Sequence, residues 1–175
     1  MKLELAKYKA CICEGAAEHA IMDILLDNNL LTFARKDLLD ESIIRCRSGE
    51  EFERKYLRKE FDGKVSVIRI LDSRRENFRI SKPYWPKIDV VNIVTAPEIE
   101  MLIICSENQY AQYKRSNQKP SEYCKAVLRM QHVKSYDYVR AYFANPAVLI
   151  QAIRQYSQNT QKRPDEWMLL DLLKE

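Results

Sequence analysis

Residues 65–72 read VSVIRILD and residues 8–14 read YKACICE. Both are short, apolar and rich in strand-forming residues, and each runs into an acid at a turn: Asp72 before Ser73, Glu14 before Gly15. A strand that is apolar at successive positions is buried on both faces, which points to a parallel sheet covered by helices. Residues 88–94, IDVVNIV, supply a third such run. These runs alternate with helical patterns, so the expected fold class is α/β: a small parallel sheet of about four strands flanked by helices, with a helical C-terminal third.

Working outward from those strands, Ala17, Ala20, Ile21, Ile24 and Leu25 follow Gly15 at helical spacing, and Asp27, Asn28 and Asn29 end that helix. Residues 30–46 suggest one or two short extended pieces around Lys36 and Asp37. Ser48 with Glu51 has the form of a capping box, which predicts a helix carrying Phe52, Tyr56 and Phe61 and ending near Gly63. Thr95 with Glu98 forms a second box, with Pro97 in the first turn and Ile99, Leu102, Ile103 and Tyr110 along the helix. Further helices are expected from Ser121, from Tyr136 to Phe143, from Asn145-Pro146, and over residues 165–173, where Trp167, Leu170 and Leu173 share a side.

A chain of 175 residues suits one domain with a core of its own. No apolar run approaches the roughly 20 residues of a membrane helix, and the N-terminus has no signal-peptide core, so no membrane is expected and the expected location is the cytoplasm. The five cysteines are odd in number and form no CxxC pair; with only two histidines, zinc is not expected and the thiols read as buried and free. A net charge of +4, from 29 basic and 25 acidic residues, permits a nucleic-acid partner without requiring one. With three glycines and no phosphate-cradling glycine motif or nucleophile elbow, kinase, dehydrogenase and serine hydrolase readings fall away.

In an open parallel sheet ligands bind at the carboxyl ends of the strands. Glu14 and Asp72 end two strands, and as neighbours they would repel unless a proton or a cation stood between them. Mg²⁺ (or Mn²⁺) is the natural cation for carboxylates working on phosphate esters. Plainer readings stand beside this one: Glu14 precedes a turn, Asp72 caps one, Glu98 completes a capping box, and Glu18 and His19 lie off the apolar face of their helix. Arg74 and Arg75, with Tyr84 and Trp85 on the same loop, could hold a phosphate and stack a base, or the aromatics could simply fold the loop down.

The strand ending in Glu-Gly, the helix after it and the later strand ending in Asp resemble the TOPRIM domain, a Rossmann-like fold, in the variant of OLD-family nucleases and RloB-like defence proteins. The opening E-G-x-x-E of that variant matches E-G-A-A-E at residues 14–18, and its Pro-x-x-Glu matches P-E-I-E within T-A-P-E-I-E at residues 95–100. The likeness spans roughly residues 8–115, so residues 1–115 would form a TOPRIM-like core and residues 116–175 a helical extension packed on it, within a single domain 1–175. The resemblance implies that Glu14 is metal-linked and the general acid or base, that Asp72 holds metal, and that Glu100 and Glu18 match the acids of the later and first helices. The second acid of the family's D-x-D is Arg74 here, and the histidine that often follows the helix glutamate is missing.

Two functions follow. One is a TOPRIM-like, Mg²⁺- or Mn²⁺-dependent nuclease or phosphodiesterase in a nucleic-acid or anti-phage context, with Glu14, Asp72 and Glu100 catalytic, Glu14, Asp72 and Glu18 at the metal, and Arg74 and Arg75 on the substrate. The other is a catalytically inactive binding, scaffold or ligand-sensing module, in which Arg74 makes an ion pair where the metal would be. DNA or RNA is the expected partner of the first; a protein partner or homo-oligomer through the C-terminal helices is that of the second.

Overall fold

The computed structural model describes residues 3–58, 61–74, 77–164 and 166–174. Four strands, β1 (Tyr8–Cys13), β2 (Leu38–Ile44), β3 (Val65–Leu71) and β4 (Ile88–Val94), form one all-parallel sheet in the order β2-β1-β3-β4. Seven α-helices are present among the described residues: α1 (Ala16–Asp27), α2 (Gly49–Tyr56), α3 (Met101–Ser106), α4 (Tyr110–Ser116), α5 (Pro120–Ala126), α6 (Tyr136–Tyr142) and α7 (Pro146–Asn159). This is the α/β class the sequence pattern predicts, with helices in the C-terminal part.

Strand alternation divides the core in two. Cys11, Ile68, Ile70 and Ile93 face a large cluster built with α1, α3, α6 and α7. Ala10, Ile12, Val65 and Val67 face a smaller one around Phe52 of α2. Every residue of β3 is buried, as its uninterrupted apolar sequence requires. All five thiols are buried and free.

Several local expectations are corrected. The helix placed at Pro97 begins at Met101, with Glu100 in the N-cap position, and Ala96–Pro97 is a cis peptide in the approach to it. Glu98 therefore caps nothing in its own helix: Oε2 accepts the Ser121 amide at 2.8 Å and Oε1 lies 3.1 Å from Lys134 Nζ. Tyr110 starts a separate helix, and Phe61 lies beyond the end of α2 at Tyr56. Residues 166–173 are a strap closed by a single 3₁₀ turn, Leu169–Leu172, rather than an α-helix. Trp167 bridges to Ile93 of β4 in parallel, and Leu173 bridges to Leu31 in antiparallel sense. Because β3 and β4 are parallel, the loop between them returns to the opposite end of the sheet. Tyr84 and Trp85 sit just before β4 begins, at the far end from Asp72 and Arg74.

Candidate functional site at the carboxyl edge of the sheet

The chain passes from β1 to its neighbour β2 and then crosses to β3 on the other side. This reversal makes the carboxyl ends of β1 and β3 a topological switch point, the place where a crevice opens in such sheets. Cys13 pairs with Ile70, so Glu14, one residue on, and Asp72, two residues on, lie at the same edge. Alternation nonetheless divides their surroundings. Glu14 continues the Ala10–Ile12 row on the α2 side, and Asp72 continues the Ile68–Ile70 row on the α1 and α3 side.

On the α2 side, Glu14 Oε1 lies 3.8 Å from Nη2 of Arg69. Arg69 is 2% exposed, its guanidinium lies 4.7 Å from the Phe78 ring centroid, and Nη1 donates to Asn92 Oδ1 at 3.4 Å. A guanidinium at this depth needs counter-charge and hydrogen-bond acceptors to offset its desolvation, and Glu14 contributes to the first and Asn92 to the second. Sequence reasoning missed Arg69. Its signal was the one charged residue inside the mostly apolar VSVIRIL.

On the opposite side stand Asp72, Glu98, Glu100 and Glu18, with Lys134 among them. Glu100 is buried, and Oε2 has no hydrogen-bond partner. Burial, reinforced by the charges of Glu98 and Glu18, pushes its carboxyl up to about 7. Burial and the Glu98 charge raise the Asp72 carboxyl as well. Hydrogen bonds from Ser121 and Lys134 outweigh burial at Glu98 and hold its carboxyl low. Burial pulls the Lys134 ammonium down, but Glu100, Glu98 and Asp72 overcome it and keep the charge on. Glu18, expected on the surface, is buried, and its carboxylate folds over Gly15, where a side-chain Cβ would collide with it.

A divalent cation does not fit these side chains as they are arranged. Among the described residues no group of three or more His, Cys, Asp or Glu is placed to hold a metal ion. Glu14 is turned to Arg69, and Lys134 supplies the positive charge on the other side. Arg74 pairs with neither Glu14 nor Asp72: its Nε donates to Glu166 Oε1 of the C-terminal strap at 2.7 Å. This hydrogen bond raises the guanidinium pKa and, against the effect of burial, lowers that of the Glu166 carboxyl. Arg75 lies outside the described residues.

A crevice of about 700 Å³ opens beside the end of β4 and includes Arg74 but none of Glu14, Glu18, Asp72 and Glu100. Among the described residues no helix is long and apolar enough to cross a membrane. No family model, no curated protein and no solved structure matches the chain.

Proposed function

We propose that the chain is a non-hydrolytic binding module of TOPRIM-like form that recognises phosphate-bearing ligands at the carboxyl edge of its sheet. The observation that carries this reading is the buried guanidinium of Arg69 beside Glu14. A fixed internal cation there supplies the charge that a catalytic metal would otherwise bring, and it is held by Asn92, the Phe78 ring and Glu14. Arg74, at the same edge, is the group suited to a phosphate oxygen. The resemblance would place the module in a nucleic-acid or anti-phage context, with DNA, RNA or a protein assembled on the C-terminal helices as partner. Five buried free thiols suit a reducing compartment, so we place it in the cytoplasm.

The test is calorimetric titration with Mg²⁺ and Mn²⁺, followed by incubation of the metal-supplemented protein with DNA, RNA and cyclic nucleotides. The expected result is no cleavage, with nucleic acid or nucleotide retained. Metal-dependent cleavage that Glu14→Gln abolishes would overturn the proposal.

One observation favours the second reading, a Mg²⁺- or Mn²⁺-dependent phosphodiesterase using Glu14, Asp72, Glu18 and Glu100. Glu100 Oε2 is a buried carboxylate oxygen without a hydrogen-bond partner, in the field of two further acids. That reading requires Glu14 to leave Arg69 and Lys134 to leave the acids. Micromolar metal binding that Asp72→Asn removes would support it.

A further inference from the structure

The crevice beside β4 differs in chemistry from the acid edge. Arg74 enters it from the loop after β3 and Lys114 from the last turn of α4, giving two cations on its wall. The remaining lining is mostly neutral and polar, with Asn117, Gln118 and Gln161 contributing amides. Two helices end there. Asn117 is the C-cap of α4, in the left-handed conformation at φ 54°, and α7 ends at Asn159. The last carbonyls of a helix carry partial negative charge; those of Tyr113, Gln155 and Asn159 accept from Ser116 Oγ, Asn159 Nδ2 and Tyr110 Oη, and each oxygen keeps a second lone pair for a ligand's N–H or O–H group. The Tyr110 ring is pinned: its hydroxyl donates to the Asn159 carbonyl at 2.7 Å, tying α4 to α7, and Lys114 Nζ lies 6.0 Å from the ring centroid.

We propose that this crevice binds a nucleoside phosphate. The phosphate lies between Arg74 and Lys114, the base lies against Tyr110, and base and sugar donors meet the carbonyls and amides at the ends of α4 and α7. The inference rests on the reading of the chain as a module for phosphate-bearing ligands, and it names the ligand class and the place. Bare phosphate is far too small for about 700 Å³, whereas that size is ordinary for a nucleotide-sized ligand. The recognition uses side chains and helix ends, and so needs none of the glycine-rich loops the sequence lacks. Arg74 keeps donors for the phosphate while Nε is held by Glu166, because a guanidinium carries five N–H groups.

The experiment titrates the full chain with AMP and GMP, and with adenosine and inorganic phosphate as half-ligands, by calorimetry without divalent metal. A 5′-phosphorylated dinucleotide separates a free nucleotide from the end of a strand. Lys114→Ala is the main variant, since that side chain is exposed and its loss leaves the core intact. The expected result is saturable binding of at least one mononucleotide or of the dinucleotide, weakened on the order of tenfold by Lys114→Ala and by Arg74→Ala. Lys87→Ala, at the far end of the sheet, should leave it unchanged, and each half-ligand should bind at least about tenfold more weakly. No heat and no thermal shift from any nucleotide at about 5 mM would overturn the proposal, as would binding indifferent to both Lys114 and Arg74. Hydrolysis of an added oligonucleotide that Glu14→Gln abolishes would reject the non-hydrolytic reading alone, leaving the crevice to be judged on the AMP and GMP titrations.

Discussion

At the residue scale, Glu100 makes the sharpest prediction. Its carboxyl ionises at about 7 in the fold and at the ordinary 4.5 when unfolded. Between those values the native state holds the proton that the unfolded state has lost, so stability falls as pH rises through that window and levels off above it. The whole shift corresponds to about 3 kcal/mol. Glu100→Gln removes the ionisation, and is expected to stabilise the protein at pH 8 relative to wild type by roughly 1–3 kcal/mol while changing little at about pH 5. Urea denaturation at the two pH values checks this; equal destabilisation at both would reject it. Arg69 gives a second prediction. Glu14→Gln removes part of the charge compensation of a buried guanidinium and should cost about 1 kcal/mol, less than a fully buried pair because Glu14 is partly exposed. Arg69→Met combined with Glu14→Gln should cost less than the sum of the single changes, and additivity in that double-mutant cycle would show that the two groups do not interact. Glu14 and Asp72 were legible as edge acids because both end apolar runs at turns. That their side chains serve different faces follows from strand register, which one sequence does not disclose.

At the element scale, legibility tracks how local the deciding interaction is. β1, β3 and β4 follow from runs that are apolar on both faces. The start of α2 follows from Ser48, whose hydroxyl accepts the Glu51 amide at 3.2 Å. Glu51 reaches the Arg47 amide at 3.2 Å, one residue before the N-cap that a strict capping box would serve. β2 was hidden because Asp40 and Glu41 both adopt left-handed backbone, at φ 54° and 49°. Lys9 pairs with Leu38 and Cys11 with Ile43, so a bulge breaks the alternation that would have identified the strand. The helix expected at Pro97 failed for a non-local reason: Glu98, the acid of the expected Thr95–Glu98 capping box, is claimed by the Ser121 amide and Lys134 from distant segments. The α2 entry supplies a prediction of its own. Ser48→Ala should cost about 1 kcal/mol through the lost cap. Gly49→Ala should cost more, about 2 kcal/mol or above, because a Cβ there meets the Arg79 carbonyl, which is backbone and cannot swing aside. Chemical denaturation of the two variants ranks them, and the reverse order would mean that the 79–80 backbone yields at little cost.

At the scale of the whole molecule, the question is whether the helical C-terminal third folds with the sheet or on its own. The strap answers in contacts. The Trp167 amide donates to the Asn92 carbonyl at 3.1 Å and the Val94 amide to the Trp167 carbonyl at 2.8 Å, extending the sheet beyond β4. Five residues later the same strap reaches the segment after α1, where the Thr32 amide donates to the Leu172 carbonyl at 2.8 Å and the Lys174 amide to the Leu30 carbonyl at 2.9 Å. Leu172 itself is wholly buried in the cluster that also holds Cys11 of β1, Ile68 of β3 and Leu149 of α7. Removing its side chain should therefore loosen the sheet and the helices together. Leu172→Ala is expected to cost about 3 kcal/mol, the ordinary price of a cavity at such a site. The loss should appear as a shift of one transition rather than as a new phase. Far-UV circular dichroism follows all seven described helices, α5, α6 and α7 of the C-terminal third among them, while fluorescence reports Trp85, before β4, and Trp167, on the strap. If the two regions are one cooperative unit, both signals share a midpoint in the wild type and move together in Leu172→Ala. A variant in which fluorescence shifts while the helical signal keeps its wild-type midpoint would mean that the strap comes away from the sheet before the helices melt, and that it only rests on the sheet.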